Sequence, residues 1–328
     1  MSPRGIQIIM LNHAKAFQLL HYLSDSHFHS GQRLADILNV SRTSIASYVH
    51  QLIDMGVDIY SVKGRGYRLA AAISLLDEQW LREKLQIPVY IFPEMASTNT
   101  WVMEHLGELS HGQLVSCDYQ SAGRGRRGRG FQSAVAGQLP FSIYWCYEGG
   151  LDAIQGLSLV VGVAIAETLR QQGYRNVGLK WPNDIYAGHR KLAGILIEMN
   201  GQPHQQLHLV AGIGINIRLG KILDSIDQPV TDLEHLQEHS VDRNQLLVDC
   251  YRALEQAYQQ FCQQGLSGFI ERWNSLDIFH GEMVKLVFSN GHIESGAVKG
   301  VDEQGNLLLE QLGIIQSFAA GEVSLRPQ

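Results

Sequence analysis

The chain has 328 residues, 45% of them apolar and 18% charged, with a formal net charge of −6. That composition excludes disorder and fibre and leaves an ordinary globular protein, long enough for two or three domains, each with its own core. The longest apolar run, 157–166, is too short to span a membrane and runs into Glu167; the N-terminus lacks the charged, apolar, small-residue order of a signal peptide.

Cys117, Cys146, Cys250 and Cys262 have neither C-x-x-C nor zinc spacing, so buried free thiols and a reducing cytoplasm are expected. The fourteen histidines are scattered and none is assigned to a metal.

Residues 1–76 carry seven Lys and Arg against four Asp and no Glu, a charge of +3 that leaves −9 for the rest. A basic head on an acidic body points to a nucleic-acid module joined to something else. In that head a helix is expected over 14–24. Ser30 is an N-cap candidate for a second helix ending at Leu38. Asn39-Val40 makes a tight turn, and Ser41 caps a third helix over 42–55, stopped by Gly56. Leu34, Ala35, Leu38, Val40, Ile45, Val49 and Leu52 fall at helix-turn-helix core spacing.

Two short strands, 57–60 and 66–69, follow, joined through Ser61-Val62-Lys63-Gly64-Arg65. Two helices and a basic hairpin make a winged helix. Its outward residues Arg42, Thr43, Ser44, Ser47, His50 and Gln51, with Lys63 and Arg65 on the wing, can all bond phosphates or base edges. The plainer alternative is a winged helix used only as a spacer or protein contact.

Residues 77–276 alternate strand-like runs (89–92, 113–120, 138–147, 178–181, 193–199, 206–215) with helices (97–107, 151–173, 241–265), a mixed α/β domain. Between two of those strands lies Gly123-Arg124-Gly125-Arg126-Arg127-Gly128-Arg129-Gly130. Arginine supplies planar, permanently charged forks for phosphate or carboxylate, and glycine lets backbone N–H groups close around an anion. Gly123, Gly125 and Gly128 formally satisfy the dinucleotide motif G-x-G-x-x-G, but no helix follows to aim its N-terminus at pyrophosphate. A loop that orders over a nucleotide-like anion competes with a solvated loop touching nucleic acid nonspecifically.

Four further segments carry polar groups at element ends. Ser97-Thr98-Asn99 opens a helix and is also a plain cap. Lys180-Trp181-Pro182-Asn183-Asp184 ends a strand in a proline turn, with a Lys180–Asp184 salt bridge as its structural reading. Arg190-Lys191-Leu192-Ala193-Gly194-Ile195 puts two cations before a strand whose Gly194 permits close approach. Gly212-Ile213-Gly214-Ile215-Asn216 ends an apolar strand in glycines and an amide. Together these are the groups that a nucleotide-activating pocket needs. Residues 277–328 then form five short strands (282–288, 294–301, 307–311, 314–319, 322–326) around the turns 289–291 and 303–306, a small β-barrel.

Ser-Thr-Asn, Gln120 before the Arg/Gly run, Lys-Trp-Pro-Asn-Asp, Arg-Lys-Leu-Ala-Gly-Ile and Gly-Ile-Gly-Ile-Asn stand here in the order found in biotin protein ligases. With a winged helix in front and an SH3-like barrel behind, nearly the whole chain resembles the bifunctional ligase–repressors of that family. The Arg-Arg-plus-glycine-run segment of the related lipoate ligases is absent.

The resemblance implies an α+β protein with a winged helix at 1–76, a biotin/lipoate-ligase-like catalytic domain at 77–276 and an SH3-like barrel at 277–328. It implies biotin and ATP as substrates, with Mg2+ accompanying ATP. A biotin carboxyl carrier protein of acetyl-CoA carboxylase, operator DNA and an adenylate-induced homodimer are the implied partners. It assigns Lys191 and Arg126 to catalysis. Ser97, Thr98, Asn99 and Gln120 go to the biotin head, and Arg124, Gly125, Gly194, Gly212, Gly214 and Asn216 to the adenylate pocket. Asp184 is the candidate for orienting or deprotonating the acceptor lysine, which near its free pKa of roughly 10.4 is an unreactive ammonium.

Two departures stand out. Gly130 and Phe131 replace a usual Lys and Trp. Val230 stands near where an adenine-stacking Trp is expected, and it covers a base with less area, which bears on how tightly the adenylate is held. Two other functions remain in play: a ligand-sensing regulator without catalysis, and a ligase whose winged helix no longer binds an operator. The complete loop with Lys191 and Asp184 favours catalysis.

Overall fold

The computed structural model describes the chain apart from residues 1–2, 149, 151–153, 203–205, 227, 289–290, 321–322 and 328. The winged helix consists of α1 (Pro3–Leu23), α2 (Gly31–Leu38), α3 (Arg42–Asp54) and the antiparallel pair β1 (Ile59–Val62) and β2 (Gly66–Leu69). Both expected caps form: the Ser30 and Ser41 side chains accept from the backbone N–H of Arg33 and Ser44, and Asn39 turns the chain with φ 50. The first helix starts well ahead of the expected residue 14.

The body is one seven-stranded sheet in the order β3 (Val89–Met95), β4 (Gln113–Gln120), β7 (Gln138–Tyr147), β11 (Leu207–Asn216), β10 (Arg190–Asn200), β9 (Asp184–Ala187), β8 (Val177–Lys180). Only β3 and β4 run parallel. The Arg/Gly run is itself a small hairpin, β5 (Gly123–Arg124) against β6 (Gly130–Phe131), turned at Arg127 with φ 56 and Gly128 with φ 71. Period-2 alternation sorts the two faces of the sheet. Phe141, Ile143 and Trp145 face the main core, with α6 (Leu157–Gln171), α8 (Arg243–Gln264) and α9 (Ile270–Leu276). Ser142 and Tyr144 face α5 (Thr98–Glu104).

The sequence reading missed several elements: α4 (Glu78–Leu85), α7 (Leu233–Gln237), α9, and strand β9, which continues the Lys-Trp-Pro-Asn-Asp turn into a hairpin with β8. The helix expected over 151–173 begins only at Leu157, because Gly156 sits at φ 79; residues 151–153 lie outside the described residues. α5 ends at Glu104, short of the expected Gly107.

The C-terminal strands β12 (Met283–Phe288), β13 (Ile293–Val301), β14 (Leu307–Gln311), β15 (Ile314–Phe318) and β16 (Val323–Pro327) form an antiparallel sheet in the order β15-β14-β13-β12-β16. The edge strands of this small barrel unit, β15 and β16, are not paired with each other among the described residues. The turn expected at 289–291 and the strand start at 322 fall partly outside the described residues.

Separate cores were expected, but the packing is more continuous. Val284, Leu286, Val298, Leu307 and Leu309 of the barrel join the body's core. Val135 and Ala136 of the body join the core of the winged helix. The linker between them is held down by Arg243. Its guanidinium pairs with the buried Asp118 carboxylate at 2.5 Å and donates to Ser74 O at 2.9 Å, while Leu76 N donates to Asp118 at 3.2 Å. Burial still pushes the Asp118 carboxyl above its ordinary value, with Arg243 opposing.

The thiols also differ from expectation. Cys117 and Cys250 are buried, Cys146 is half-buried and Cys262 is exposed on the outer side of α8. All four are free. Among the described residues no helix is long and apolar enough to cross a membrane, and no group of three His, Cys, Asp or Glu is set to hold a metal.

Candidate active site

Strand ends converge because antiparallel neighbours bring opposite termini to one edge of the sheet. Gln120 closes β4, Gln138 opens β7, Asn216 closes β11 and Lys191 is the second residue of β10; Asp184, the first residue of the short β9, enters from the other end of its strand, opposite Gly194. Register fixes the neighbours: Asn216 is opposite Gln138, and Gly194 lies between Gly214 and Asp184. The Arg/Gly hairpin folds over this edge. Together they line a cavity of about 550 Å3 that holds every expected ligand residue of the body: Ser97, Thr98, Asn99, Gln120, Arg124, Gly125, Arg126, Asp184, Lys191, Gly194, Gly212, Gly214 and Asn216. That volume is ordinary for a cofactor-sized ligand.

At one end is a polar floor. Ser97 caps α5, accepting from Thr100 N. Gln120 Oε1 accepts from Thr98 N at 2.8 Å. The Ser142 hydroxyl lies 2.7 Å from Thr98 Oγ1 and 2.6 Å from Asn99 Oδ1. Asn99 Nδ2 donates to Leu196 O at 3.1 Å and to Glu198 Oε2 at 2.9 Å. Buried amides and hydroxyls so fully engaged hold fixed orientations. Two glycines are used for close packing. A Cβ at Gly212 would stand 2.1 Å from Asn99 Oδ1, and one at Gly214 would stand 2.8 Å from the Phe131 ring. Gly212 and Gly214, expected in the adenylate pocket, thus have the space over their Cα atoms taken by Asn99 and Phe131. Gly194 remains roomier, its nearest neighbour being the Lys191 side chain at 3.4 Å.

At the other end are the charges. Lys191 Nζ lies 2.6 Å from Asp184 Oδ1. Asp184 therefore makes this ion pair where one with Lys180 was the structural reading; the Lys180 ammonium donates to the Tyr186 hydroxyl at 3.2 Å. A short bridge holds the Lys191 backbone: its N–H donates to Pro229 O at 2.9 Å, and its carbonyl accepts from Thr231 N at 2.9 Å. Asn216 Nδ2 reaches Thr231 O at 3.0 Å and braces the same bridge. Val230, paired opposite Lys191, lines the cavity in the stretch where an indole was expected.

The two arginines separate in role. Arg126 donates to Asn183 Oδ1 at 3.0 Å and to Ala320 O, two residues beyond the barrel's β15, at 2.8 Å. Burial, with Arg127 adding to it and Asp184 opposing, holds its guanidinium below the ordinary arginine value. Arg124 turns to the other side and pairs with Glu198 at 2.6 Å.

Sequence reasoning missed Ser142, Glu198, Gln138 and the Ala320 carbonyl. Ser142 is a polar residue in the middle of the largely apolar β7, a weak signal that was available. Gln138 carries its amide to Ala134 N at 2.9 Å and Gln132 O at 2.9 Å, tying down the hairpin's return. Glu198 and Ala320 gave no local signal.

On the winged helix, Arg42, Thr43, Ser47 and His50 are exposed along α3, and Lys63 and Arg65 are exposed on the wing. Ser44 and Gln51 are half-buried, and Ser44 bonds the Ser41 hydroxyl at 2.9 Å. The Arg65 guanidinium rests 4.3 Å over the Phe28 ring. The exposed residues of α3 lie away from its buried side, Ile45, Val49 and Leu52.

Three family models match in chain order: an HTH domain over 15–68, the Biotin/lipoate A/B protein ligase family over 91–216, and the Biotin protein ligase C terminal domain over 279–326. The bifunctional ligase/repressor BirA of Salmonella typhimurium is 41% identical over 94% of this chain and 96% of its own. That of Escherichia coli is 39% identical over 97% and 99%. Among solved structures, the biotin protein ligase from Aquifex aeolicus in complex with biotin and ATP superposes with a TM-score of 0.65 and 28% identity, covering 74% of this chain and 99% of that one.

Proposed function

The chain belongs to the biotin protein ligase family, and from that premise we propose that it activates biotin with ATP, attaches it to a carrier-protein lysine, and represses transcription when loaded with the adenylate. In the first step a biotin carboxylate oxygen forms a bond to the α-phosphorus of ATP. The bond to the β-phosphate oxygen breaks, and pyrophosphate leaves. Two anions must meet, so cations have to neutralise them. Lys191 moves from Asp184 to the carboxyl and α-phosphate oxygens, and Arg126 closes over the phosphate. Mg2+ arrives with the phosphates of ATP. The Ser97, Thr98, Asn99 and Gln120 floor takes the ureido head of biotin.

In the second step the acceptor amine attacks the acyl carbon, the bond to AMP oxygen breaks, and Asp184, freed of Lys191, takes the amine proton. The acceptor is the biotin carboxyl carrier protein of acetyl-CoA carboxylase. The observation that carries this reading is the Lys191–Asp184 pair at 2.6 Å, at the cavity edge beside the Arg126 hairpin. A ligand sensor has no need of a lysine and a carboxylate held in contact at its pocket.

Residues 1–76, 77–276 and 277–328 serve as DNA-binding, catalytic and closing units, in a cytoplasmic protein. Arg42, Thr43, Ser47 and His50 read the operator, with Ser44, Gln51, Lys63 and Arg65 in support. A homodimer formed on adenylate binding places two winged helices on two half-sites, because one small module makes few phosphate contacts.

Lys191→Ala tests the chemistry. A loss of about 3–4 kcal/mol of transition-state stabilisation lowers biotin-dependent pyrophosphate release by roughly two to three decades. Near-normal release removes Lys191 from its role. Operator binding and sedimentation with and without biotin plus ATP test the repressor; affinity that ignores adenylate leaves a ligase alone.

A further inference from the structure

The geometry points to Glu198 as a positioning residue that latches the Arg/Gly hairpin to the floor of the biotin-head subsite, an inference that rests on the ligase reading and deepens it. One carboxylate oxygen joins two distant segments. Glu198 Oε2 accepts from Asn99 Nδ2 at 2.9 Å and from Arg124 Nη2 at 2.6 Å. Asn99 lies on the first turn of α5, Arg124 on the first strand of the hairpin, and Glu198 on β10.

The two bonds do different things. A carboxylate only accepts, so Glu198 forces the amino end of the Asn99 amide towards β10 and leaves Oδ1 for the Ser142 hydroxyl at 2.6 Å. That fixes which end of the amide each wall of the floor presents, and with it the donor and acceptor pattern a ureido ring meets. The bond to Arg124 holds the hairpin down. The two partners are 44% and 24% exposed, and an exposed ion pair is a weak tie. A weak tie is what a lid requires, because the hairpin has to open for biotin and ATP and close over their product.

The test uses Glu198→Ala, Glu198→Gln and Arg124→Gln in the full chain. Glutamine keeps an acceptor oxygen for Asn99 but loses the charge that holds Arg124. Three readouts are taken: biotin KM and kcat for pyrophosphate release, the rate of biotinyl-adenylate loss, and trypsin cutting of the ligand-free hairpin after Arg126, Arg127 or Arg129. Glu198→Ala should raise biotin KM about tenfold, equivalent to 1.4 kcal/mol, with a smaller change in kcat, and should speed adenylate loss and hairpin cutting by similar factors. Glu198→Gln should bring KM back towards wild type while cutting stays fast. Arg124→Gln should also cut fast.

Unchanged KM in Glu198→Ala, or hairpin cutting as slow as wild type in all three variants, overturns the latch. If Glu198→Ala fails to fold, the Gln variants decide. A wild-type chain that makes no adenylate would sink the ligase reading, and the cutting rates would still judge the latch.

Discussion

Gly212→Ala offers a sharp test of how the floor is built. The new methyl would stand 2.1 Å from Asn99 Oδ1, 2.6 Å from its Cγ and 2.8 Å from its Nδ2, so the whole amide has to move. Asn99 is only 3% exposed. Three hydrogen bonds are at stake, to Ser142, Leu196 O and Glu198. Neutral bonds contribute about 0.5–1.5 kcal/mol each and one to a charged group about 1.5–3, so their loss, eased by relaxation, costs about 2–5 kcal/mol. Part of this appears as stability and part as biotin affinity, because the displaced amide leaves the subsite misshapen.

Urea denaturation should show a lower midpoint at constant slope. Calorimetry should show biotin affinity at least tenfold weaker, tenfold being about 1.4 kcal/mol. A variant with wild-type midpoint and wild-type affinity would mean that Asn99 is neither packed against Gly212 nor part of the subsite.

Arg126→Gly removes the bonds to Asn183 and Ala320 O. It should release biotinyl-adenylate at least tenfold faster and label bystander lysines, measured by adenylate dissociation and blotting of a mixed protein sample; normal retention would refute the lid. Arg243→Met strands the buried Asp118 carboxylate and should cost about 3–5 kcal/mol in urea denaturation, whereas Asp118→Leu combined with Arg243→Met should recover most of it. Asp277, with Oδ2 lacking a hydrogen-bond partner among the described residues, is pushed by burial to about 7 from 3.8. Its folded value lies above its unfolded one. Both states therefore hold the proton below about pH 4, and stability falls as pH rises towards 7 and is level beyond. Asp277→Asn should flatten that slope, by at most about 4 kcal/mol between pH 4 and 8; a parallel stability profile would show that Asp277 does not titrate as described.

The order of motifs, the caps at Ser30 and Ser41, the Arg/Gly run, and Lys191 and Asp184 as separate charged groups were legible in the sequence, because each depends on local chemistry: short-range hydrogen bonds, charge, and residues that only a tight turn or an anion site gathers. Strand β9 was not legible, since four residues after a proline turn carry too little periodicity to mark a strand. Helix α6 was drawn too long for the converse reason: nothing in its apolar run says where Gly156 breaks it.

Tertiary structure alone decided the partners. Whether Asp184 would face Lys180 or Lys191 depended on the antiparallel register of β9 and β10. Gly212 and Gly214 could be read as open to ligand until the fold set Asn99 and Phe131 against them. Glu198 and the Ala320 carbonyl act on the Arg/Gly hairpin from elements far away in sequence, and only packing brings such groups within reach. Sequence specifies which groups are present and the turns they favour; distance between remote segments is a property of the whole sheet, and it is there that these residues acquired their roles.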